Sequence, residues 1–326
     1  MAVSVGAMAV PTLADVRGAA ARIAPHLLET PLHAHAGLAS LLGAEVLVKH
    51  ENHLPTGAFK VRGGVNLVAQ LPSALRERGL IAASTGNHGQ SLAYAGRLFD
   101  ARVTICVPVG ANPAKVGSIR ALGAEIVEHG RDFDEAREHC EALAAEHGLR
   151  YVHSGDEPDL ISGVGTHTLE VLAREPEVDA IVLPIGGGSG AAGACVVAKA
   201  LRPGCEVIGV QAEAAPAAYR SWRAHAVCED GMATAAEGLA TRVGFALPQA
   251  ILWEHLDDFV LVSEDELLRA ARLMLEHTRN LVELAGAAPL AGALRLRERL
   301  TGRRVVLVCS GGNVTPEQLT TILASG

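Results

Sequence analysis

Four short stretches of this chain hold residues whose types and spacing could do chemistry together. In "PTGAFKVRGG" (55–64) a single lysine, Lys60, follows Phe59 and sits between Pro-Thr-Gly and Gly-Gly with little local negative charge to pair with. In "STGNHGQS" (84–91) the residues Ser84, Thr85, Gly86, Asn87 and His88 gather hydroxyl, amide and imidazole groups in one loop. "GGGSGAAG" (186–193) opens with Gly186, Gly187, Gly188, Ser189 and Gly190, and "SGGN" (310–313) places Ser310 before two glycines. A lysine amine can attack an aldehyde or, when neutral, take a proton. A glycine loop that leaves a strand and opens a helix offers backbone N–H groups and a positive helix end to a phosphate.

The glycine loop alone leaves three readings open. Gly188-Ser-Gly190-Ala-Ala-Gly193 matches G-x-G-x-x-G, and Glu213 lies 20 residues further on, where a ribose-binding acid would sit, so an NAD-dependent dehydrogenase is one. Another phosphate ligand is the second, and a loop that merely turns a strand into a helix is the third. A dehydrogenase has no evident use for Lys60, Asn87 with His88, or Ser310. Pyridoxal 5'-phosphate uses all of them, being an aldehyde with a phenolic oxygen, a ring nitrogen and a phosphate. Taken in isolation, Asn87 also reads as a helix N-cap. His88, and His50 with His53 in "HENH", could each ligate a metal, but no Cys/His/carboxylate set accompanies them at metal spacing, so they read as loop or core histidines.

The elements that must position these loops follow from periodicity. Apolar, β-branched runs at "EVLVKH", "LIAAS", "RVTICVP", "AEIVEH", "RYVHS", "DAIVLPI", "CEVIGVQ", "DFVLVS" and "RRVVLVCS" alternate with helical stretches such as "DFDEAREHCEALAAEHG" and "SEDELLRAARLMLEHT". That alternation predicts an α/β fold with mostly parallel sheets, and ligands gathered beyond the carboxyl ends of the strands. Asn112-Pro113 reads as an N-cap with proline in the first turn, and Ser263 with Glu266 as a capping box. With 326 residues, 49% hydrophobic and only 3% aromatic, the cores must be aliphatic. No Pro/Ser-rich linker or long repeat divides the chain, so a second domain must be an insertion.

A net charge of -8 without a basic block argues against nucleic acid, which leaves a small molecule as the partner. The 19 uncharged residues from Ala180 to Ala198 are long enough to raise a membrane helix, yet "PIGGGSG" interrupts them, and a strand, loop and helix fit better. The six cysteines form no C-x-x-C pair and suit reduced, buried thiols in the cytoplasm. "MAVSVGAMAVPT" reads as a loose tail without a basic region, and the few residues after "SGGN" leave no room for an appended regulatory domain.

Together, "PTGAFKVRGG", "STGNHGQS", "GGGSGAAG" and "SGGN", in this order and spacing from about Thr30 onward, resemble the fold type II pyridoxal-phosphate enzymes, in particular the threonine/serine dehydratase and serine racemase branch. The resemblance implies a tryptophan-synthase-β-like architecture: a large cofactor domain of residues 1–78 and 157–326, and a small mobile domain of residues 79–156 that closes over substrate. It implies that Lys60 bonds the cofactor as an imine and that Phe59 packs beside it. Asn87 would hold the phenolic oxygen, Gly186, Gly187, Gly188, Ser189 and Gly190 the phosphate, and Ser310 the pyridine nitrogen, with Gly238 beside the ring. Ser84, Thr85, Gly86, Asn87 and His88 would grip the substrate carboxylate. Lys60, Ser84 and Thr85 would be the catalytic set, and Glu283, in a family Glu-x-x-Gly-Ala segment, would stand behind the pocket. Relatives are commonly homodimers or homotetramers.

The sequence departs from the family in three places. Ser189 and Gly190 stand where the phosphate loop usually has Gly-Leu, and Ala58 replaces a common serine. In metal-dependent members a Glu, a carbonyl and an Asp bind a divalent ion. Here these are Glu213, Ala217 and Tyr219, and a tyrosine in the Asp place argues against a metal. With a serine rather than an aspartate facing the ring nitrogen, loss of a β-substituent is favoured. The expected reaction is dehydration of a 3-hydroxy amino acid such as L-threonine or L-serine to a 2-oxo acid and ammonia. Ala58 also suggests spare apolar room for a bulkier substrate such as L-phenylserine, or for a hydroxyectoine-breakdown product. Thr85, placed where racemases carry a serine, keeps racemisation as a rival. His88 stands where β-replacement enzymes usually have threonine. A non-catalytic cofactor-binding protein is the remaining alternative.

Overall fold

A computed structural model describes residues 9–325. The tail expected at the amino terminus therefore lies outside the described residues over positions 1–8. Ten strands form two sheets. The larger takes β1 (Leu32–Ala34), β2 (Glu45–His50), β7 (Ala180–Pro184), β8 (Glu206–Ala212), β9 (Asp258–Val262) and β10 (Arg304–Cys309), in the order β1-β2-β10-β7-β8-β9. The smaller takes β3 (Leu80–Ala83), β4 (Val103–Val107), β5 (Glu125–Glu128) and β6 (Arg150–Tyr151), in the order β5-β4-β3-β6. Every pairing is parallel except β1 with β2.

The nine runs expected as strands are β2 to β10. β1 was not foreseen: its three residues "LHA" bury only Leu32, so they carry neither an apolar run nor an alternation. β7 and β10 read as unbroken apolar stretches because helices cover both faces of a parallel sheet. The expected caps are present: Asn112 Oδ1 accepts from Ala114 and Lys115, and Ser263 and Glu266 exchange side-chain bonds with each other's backbone. The stretch from Ala180 to Ala198 is a strand, a loop and most of the helix Ser189–Leu201. Among the described residues no helix is long and apolar enough to cross a membrane. The six cysteines are unpaired and five of them are buried.

Three helices place the site. The Lys60 helix (Lys60–Ala69) lies against the helix Pro158–Arg174, which in turn crosses the Ser189–Leu201 helix. Both crossings need glycine. A Cβ on Gly163 would stand 2.6 Å from the Arg62 carbonyl oxygen, and one on Gly193 would stand 2.8 Å from Gly165 Cα. This close stack brings the first turn of one helix beside the first turn of another that is far away in sequence. The other face of the Lys60 helix, through Val61, Val65 and Val68, shares a core with Leu80, Ala82, Ile105 and Val107 of the smaller sheet. The lysine thus stands at the seam between the two sheets.

Candidate active site

Lys60 is the first residue of its helix, and its Nζ lies 2.9 Å from Ser189 Oγ and 2.9 Å from the Ser154 carbonyl oxygen. Burial alone, with no carboxylate beside it, draws its pKa down from 10.5 to about 8. At neutral pH roughly a tenth of such an amine is uncharged, against fewer than one in a thousand for a solvated lysine.

Ser189 opens the glycine-loop helix at the carboxyl end of β7. Gly188 is the N-cap, with a φ of +90° that favours glycine, and no side chain caps this helix end. An N-terminus so left has free N–H groups and the positive end of the helix dipole, so the residues present fit a phosphate. A Cβ on Gly187 would meet Phe245 at 2.1 Å, one on Gly186 would meet the Gly238 carbonyl oxygen at 2.2 Å, and one on Gly190 would meet Phe59 at 3.0 Å. The loop is glycine-rich because three neighbours press on it. Phe59 and Gly238, both singled out from the sequence, are two of those neighbours.

Ser310 is buried, and its carbonyl accepts from the Phe59 N–H at 2.9 Å, which fixes the end of β10 to the residue before the lysine. Ala58 is fully buried and bridges to Gly311. Its methyl is packed rather than exposed.

The 84–88 loop leads into the helix Asn87–Leu98. Ser84 Oγ accepts from the N–H groups of Gly86 and Gly89 at 3.2 and 3.0 Å, folding the loop back on itself. Thr85 is half-buried, and a Cβ on Gly86 would meet nothing within 4 Å. His88 turns inward, its Nε2 within 3.2 Å of the Val152 carbonyl, while Nδ1 is buried without a partner. Burial first, and then the positive charge of Lys60, hold its pKa to about 3, so it is a neutral imidazole. Asn87 is engaged at both ends: its Nδ2 donates to Glu283 Oε1 at 2.8 Å and its Oδ1 accepts from Asn313 Nδ2 at 2.7 Å. One Nδ2 hydrogen remains. Burial raises the Glu283 pKa, and the Asn87 bond opposes that rise.

The structure brings Lys60, Phe59, Ser189, the glycine loop, Gly238 and the Asn87 helix around one centre. It adds groups that sequence reasoning missed: the Ser154 carbonyl, Phe245 and Asn313. Asn313 stood in the quoted "SGGN" without a role. Nothing local to Ser154 or Phe245 marks them, because each reaches the site only through tertiary packing. A cavity of about 10 Å³, room for one water, adjoins Glu283 and Gly238 and is lined also by Lys115, Glu237, Asn313 and Gln318. Glu213 pairs with Arg295 at 2.8 Å and the Tyr219 ring packs edge-on against Phe259.

A half-buried lysine at an uncapped, glycine-lined helix end, in a two-sheet parallel α/β frame, is the arrangement a pyridoxal-phosphate enzyme requires. Residues 23–311 match the family model described as pyridoxal-phosphate dependent enzyme, and the chain belongs to that family. It is 35% identical over 318 residues to the L-threo-3-hydroxyaspartate ammonia-lyase of Saccharomyces cerevisiae, covering 97% of this chain and 98% of the relative. It is also 35% identical to the L-threonine ammonia-lyase of Thermotoga maritima, covering 97% of this chain and 79% of the relative. The crystal structure of serine racemase from Dictyostelium discoideum superposes with a TM-score of 0.89 at 31% identity, over 94% of this chain and all of the other. The fold type II architecture and the pyridoxal 5'-phosphate cofactor expected from the sequence stand, and the dehydrogenase reading falls.

Proposed function

We propose that the chain is an ammonia-lyase that eliminates water from a 3-hydroxy amino acid with a small or polar β-substituent, such as L-threonine, L-serine or 3-hydroxyaspartate, giving a 2-oxo acid and ammonia. The observation that carries the proposal is Lys60 Nζ within 2.9 Å of Ser189 Oγ, across 129 residues of sequence. Bound pyridoxal 5'-phosphate supplies an aldehyde for the Lys60 amine and a ring that accepts electrons from the substrate Cα.

The chain's own groups do the rest. Lys60 Nζ, with its pKa near 8, takes the Cα proton, while the Ser154 carbonyl and Ser189 hydroxyl hold the amine in place. Gly186 to Gly190 would hold the phosphate, Ser310 would face the ring nitrogen, and the free hydrogen of Asn87, whose amide is fixed by Glu283 and Asn313, would hold the phenolic oxygen. Ser84 shapes the loop of Thr85, Gly86, Asn87 and His88 around the substrate carboxylate. The four-stranded unit, residues 79–156, closes over the site and keeps water from it. The enzyme works as a homodimer or homotetramer in the cytoplasm.

The likeness to relatives named for L-threonine and L-threo-3-hydroxyaspartate supports a compact substrate over an aryl one. Thr85 keeps a racemase side activity as the second reading. The test is a panel of L- and D-serine, L-threonine, 3-hydroxyaspartate and L-phenylserine, read as 2-oxo acid and ammonia, with chiral analysis of the residual substrate. Turnover of phenylserine alone would overturn the substrate class, and racemised substrate without ammonia would overturn the reaction.

A further inference from the structure

Residues 310–313 run antiparallel to residues 56–59. The Phe59 N–H donates to the Ser310 carbonyl and the Gly312 N–H to the Gly57 carbonyl, each at 2.9 Å, with Ala58 bridged to Gly311 between them. One step further along, a side chain continues the ladder: Asn313 Nδ2 donates to the Thr56 carbonyl at 2.8 Å. The same nitrogen donates to Asn87 Oδ1 at 2.7 Å.

A side-chain amide has an accepting end and a donating end of similar size, so an isolated asparagine could face either way. A backbone carbonyl only accepts, and that fixes the polarity of everything attached to it. The Thr56 carbonyl must meet the nitrogen end of Asn313. Because that nitrogen also faces Asn87, it must meet the oxygen end of the Asn87 amide, and the nitrogen end is turned the other way, toward Glu283 Oε1 at 2.8 Å. A half-turn of Asn313 would set its oxygen against two acceptors, and a half-turn of Asn87 would set two donors against each other. Glu283 comes this close because position 311 is glycine: a Cβ there would stand 2.2 Å from Glu283 Oε1.

We propose that Asn313 is a positioning residue that sets the polarity of the Asn87 amide, so that the site offers the phenolic oxygen of pyridoxal 5'-phosphate a donor and not an acceptor. The inference rests on the reading of Asn87 as the residue facing that oxygen, and it traces the direction of the amide to the backbone of Thr56, relayed through Asn313. Asn313→Asp reverses the relay: a carboxylate cannot donate to Asn87, so the Asn87 amide turns its nitrogen to the new acceptor and its oxygen to the cofactor. Asn313→Ala removes the relay without reversing it.

The test reads cofactor binding rather than turnover, so its failure is separate from failure of the ammonia-lyase reading. The cofactor-free full chain is titrated with pyridoxal 5'-phosphate and followed by the visible absorption of the bound cofactor, in the parent, Asn313→Asp, Asn313→Ala, Asn87→Ala and the two double variants. The Kd should rise at least about tenfold in Asn313→Asp and about threefold in Asn313→Ala, because opposed acceptors cost more than one missing bond. In the Asn87→Ala background either change at position 313 should move Kd by less than about twofold, since the partner it acts through is gone. The absorption band of Asn313→Asp should shift toward that of Asn87→Ala. If Asn313→Asp fails to fold, Asn313→Ala and its double variant carry the same comparison. Kd and absorption unchanged in the folded single variants, or an equal rise with and without the Asn87 side chain, would each overturn the proposal.

Discussion

Lys60 and Arg62 stand two residues apart on one helix, and the protein treats their charges in opposite ways. Arg62 is 1% exposed and grips Glu51 through Nε and Nη2 at 2.6 and 2.9 Å, and Glu170 through Nη1 and Nη2 at 2.5 and 2.9 Å. Thr30, Thr166 and Lys49 complete the network. Burial pushes the Glu51 pKa up, but the charge and hydrogen bonds of Arg62 outweigh it and hold the carboxyl at about 2. For Arg62, burial works against the charge while Glu51 and Glu170 raise the pKa above its ordinary value. Lys60 has only burial acting on it, and its pKa falls to about 8. A cation locked into carboxylates is architecture, whereas a buried cation offered only a hydroxyl and a carbonyl can give up its proton.

That contrast predicts a division between activity and stability. Lys60→Ala should lower turnover by roughly 10⁴-fold or more, since it removes both the nucleophile and the base, and should leave the denaturation midpoint close to that of the parent because no ion pair is broken. The check is 2-oxo acid formation alongside a urea melt of the cofactor-free protein. A Lys60→Ala variant that loses stability as Arg62 variants do would erase the distinction. Arg62→Leu should cost about 3–5 kcal/mol, because Glu51 would be left as a buried charge without its ion-pair partner. Equilibrium unfolding measures it, and a loss below about 1 kcal/mol would mean that the network contributes nothing beyond packing.

The same logic extends to buried bases that are held neutral. His88 and His167 are buried, and burial is the main cause that lowers their pKa values to about 3 and about 4. In the unfolded chain each titrates near 6.5, so the neutral form stabilises the fold fully above that pH. The stability is lost as pH falls below about 6.5 toward the folded values, at about 1.4 kcal/mol per pH unit for each group. Between pH 7 and pH 5, His88→Asn should therefore recover about 2 kcal/mol of the parent's acid loss. Urea melts at the two pH values test this, and parallel losses in parent and variant would show that His88 is not held neutral by the fold.

How much of this was legible in the sequence differs between the two cations. The spacing of Lys60 after "PTG", and of Ser189 within six residues of a strand's end, are local patterns, and the structure joins them. Arg62 carried no signal: in "FKVRGG" it reads as a surface residue two places past the lysine, and Glu51 in "KHEN" reads as a polar strand end. Their burial depends on Glu170, 108 residues away from Arg62, which no local pattern reports. β1 escaped for a related reason, since its pairing with β2 is written in β2 and not in "LHA". Ser154 contributes a carbonyl, which every residue has, and so could only be found in three dimensions. That Ala58 is fully buried against the Gly311 backbone was likewise not written in its neighbours in sequence.

A third cation sharpens the comparison at its weak end. Lys115, on the helix Pro113–Ala121, reaches Glu237 Oε2 at 2.5 Å across 122 residues, linking the smaller sheet's helices to the segment beside the glycine loop. Arg242 reaches Asp134 at 3.4 Å on the same side. Both pairs are paired cations like Arg62, but Glu237 and Arg242 have side chains about half exposed, so water screens the attraction. Exposed pairs contribute about 0.2–1 kcal/mol. Lys115→Met should therefore leave global stability within about 1 kcal/mol of the parent. Its effect should fall on closure instead, raising KM up to about fivefold with kcat nearly unchanged. Because salt screens exposed charges, the parent at about 1 M ionic strength should acquire the variant's KM while the variant itself hardly responds. Equal salt sensitivity in the two proteins would show that the bridge does not hold the units together, and pairing would then matter in this molecule only where burial removes the solvent.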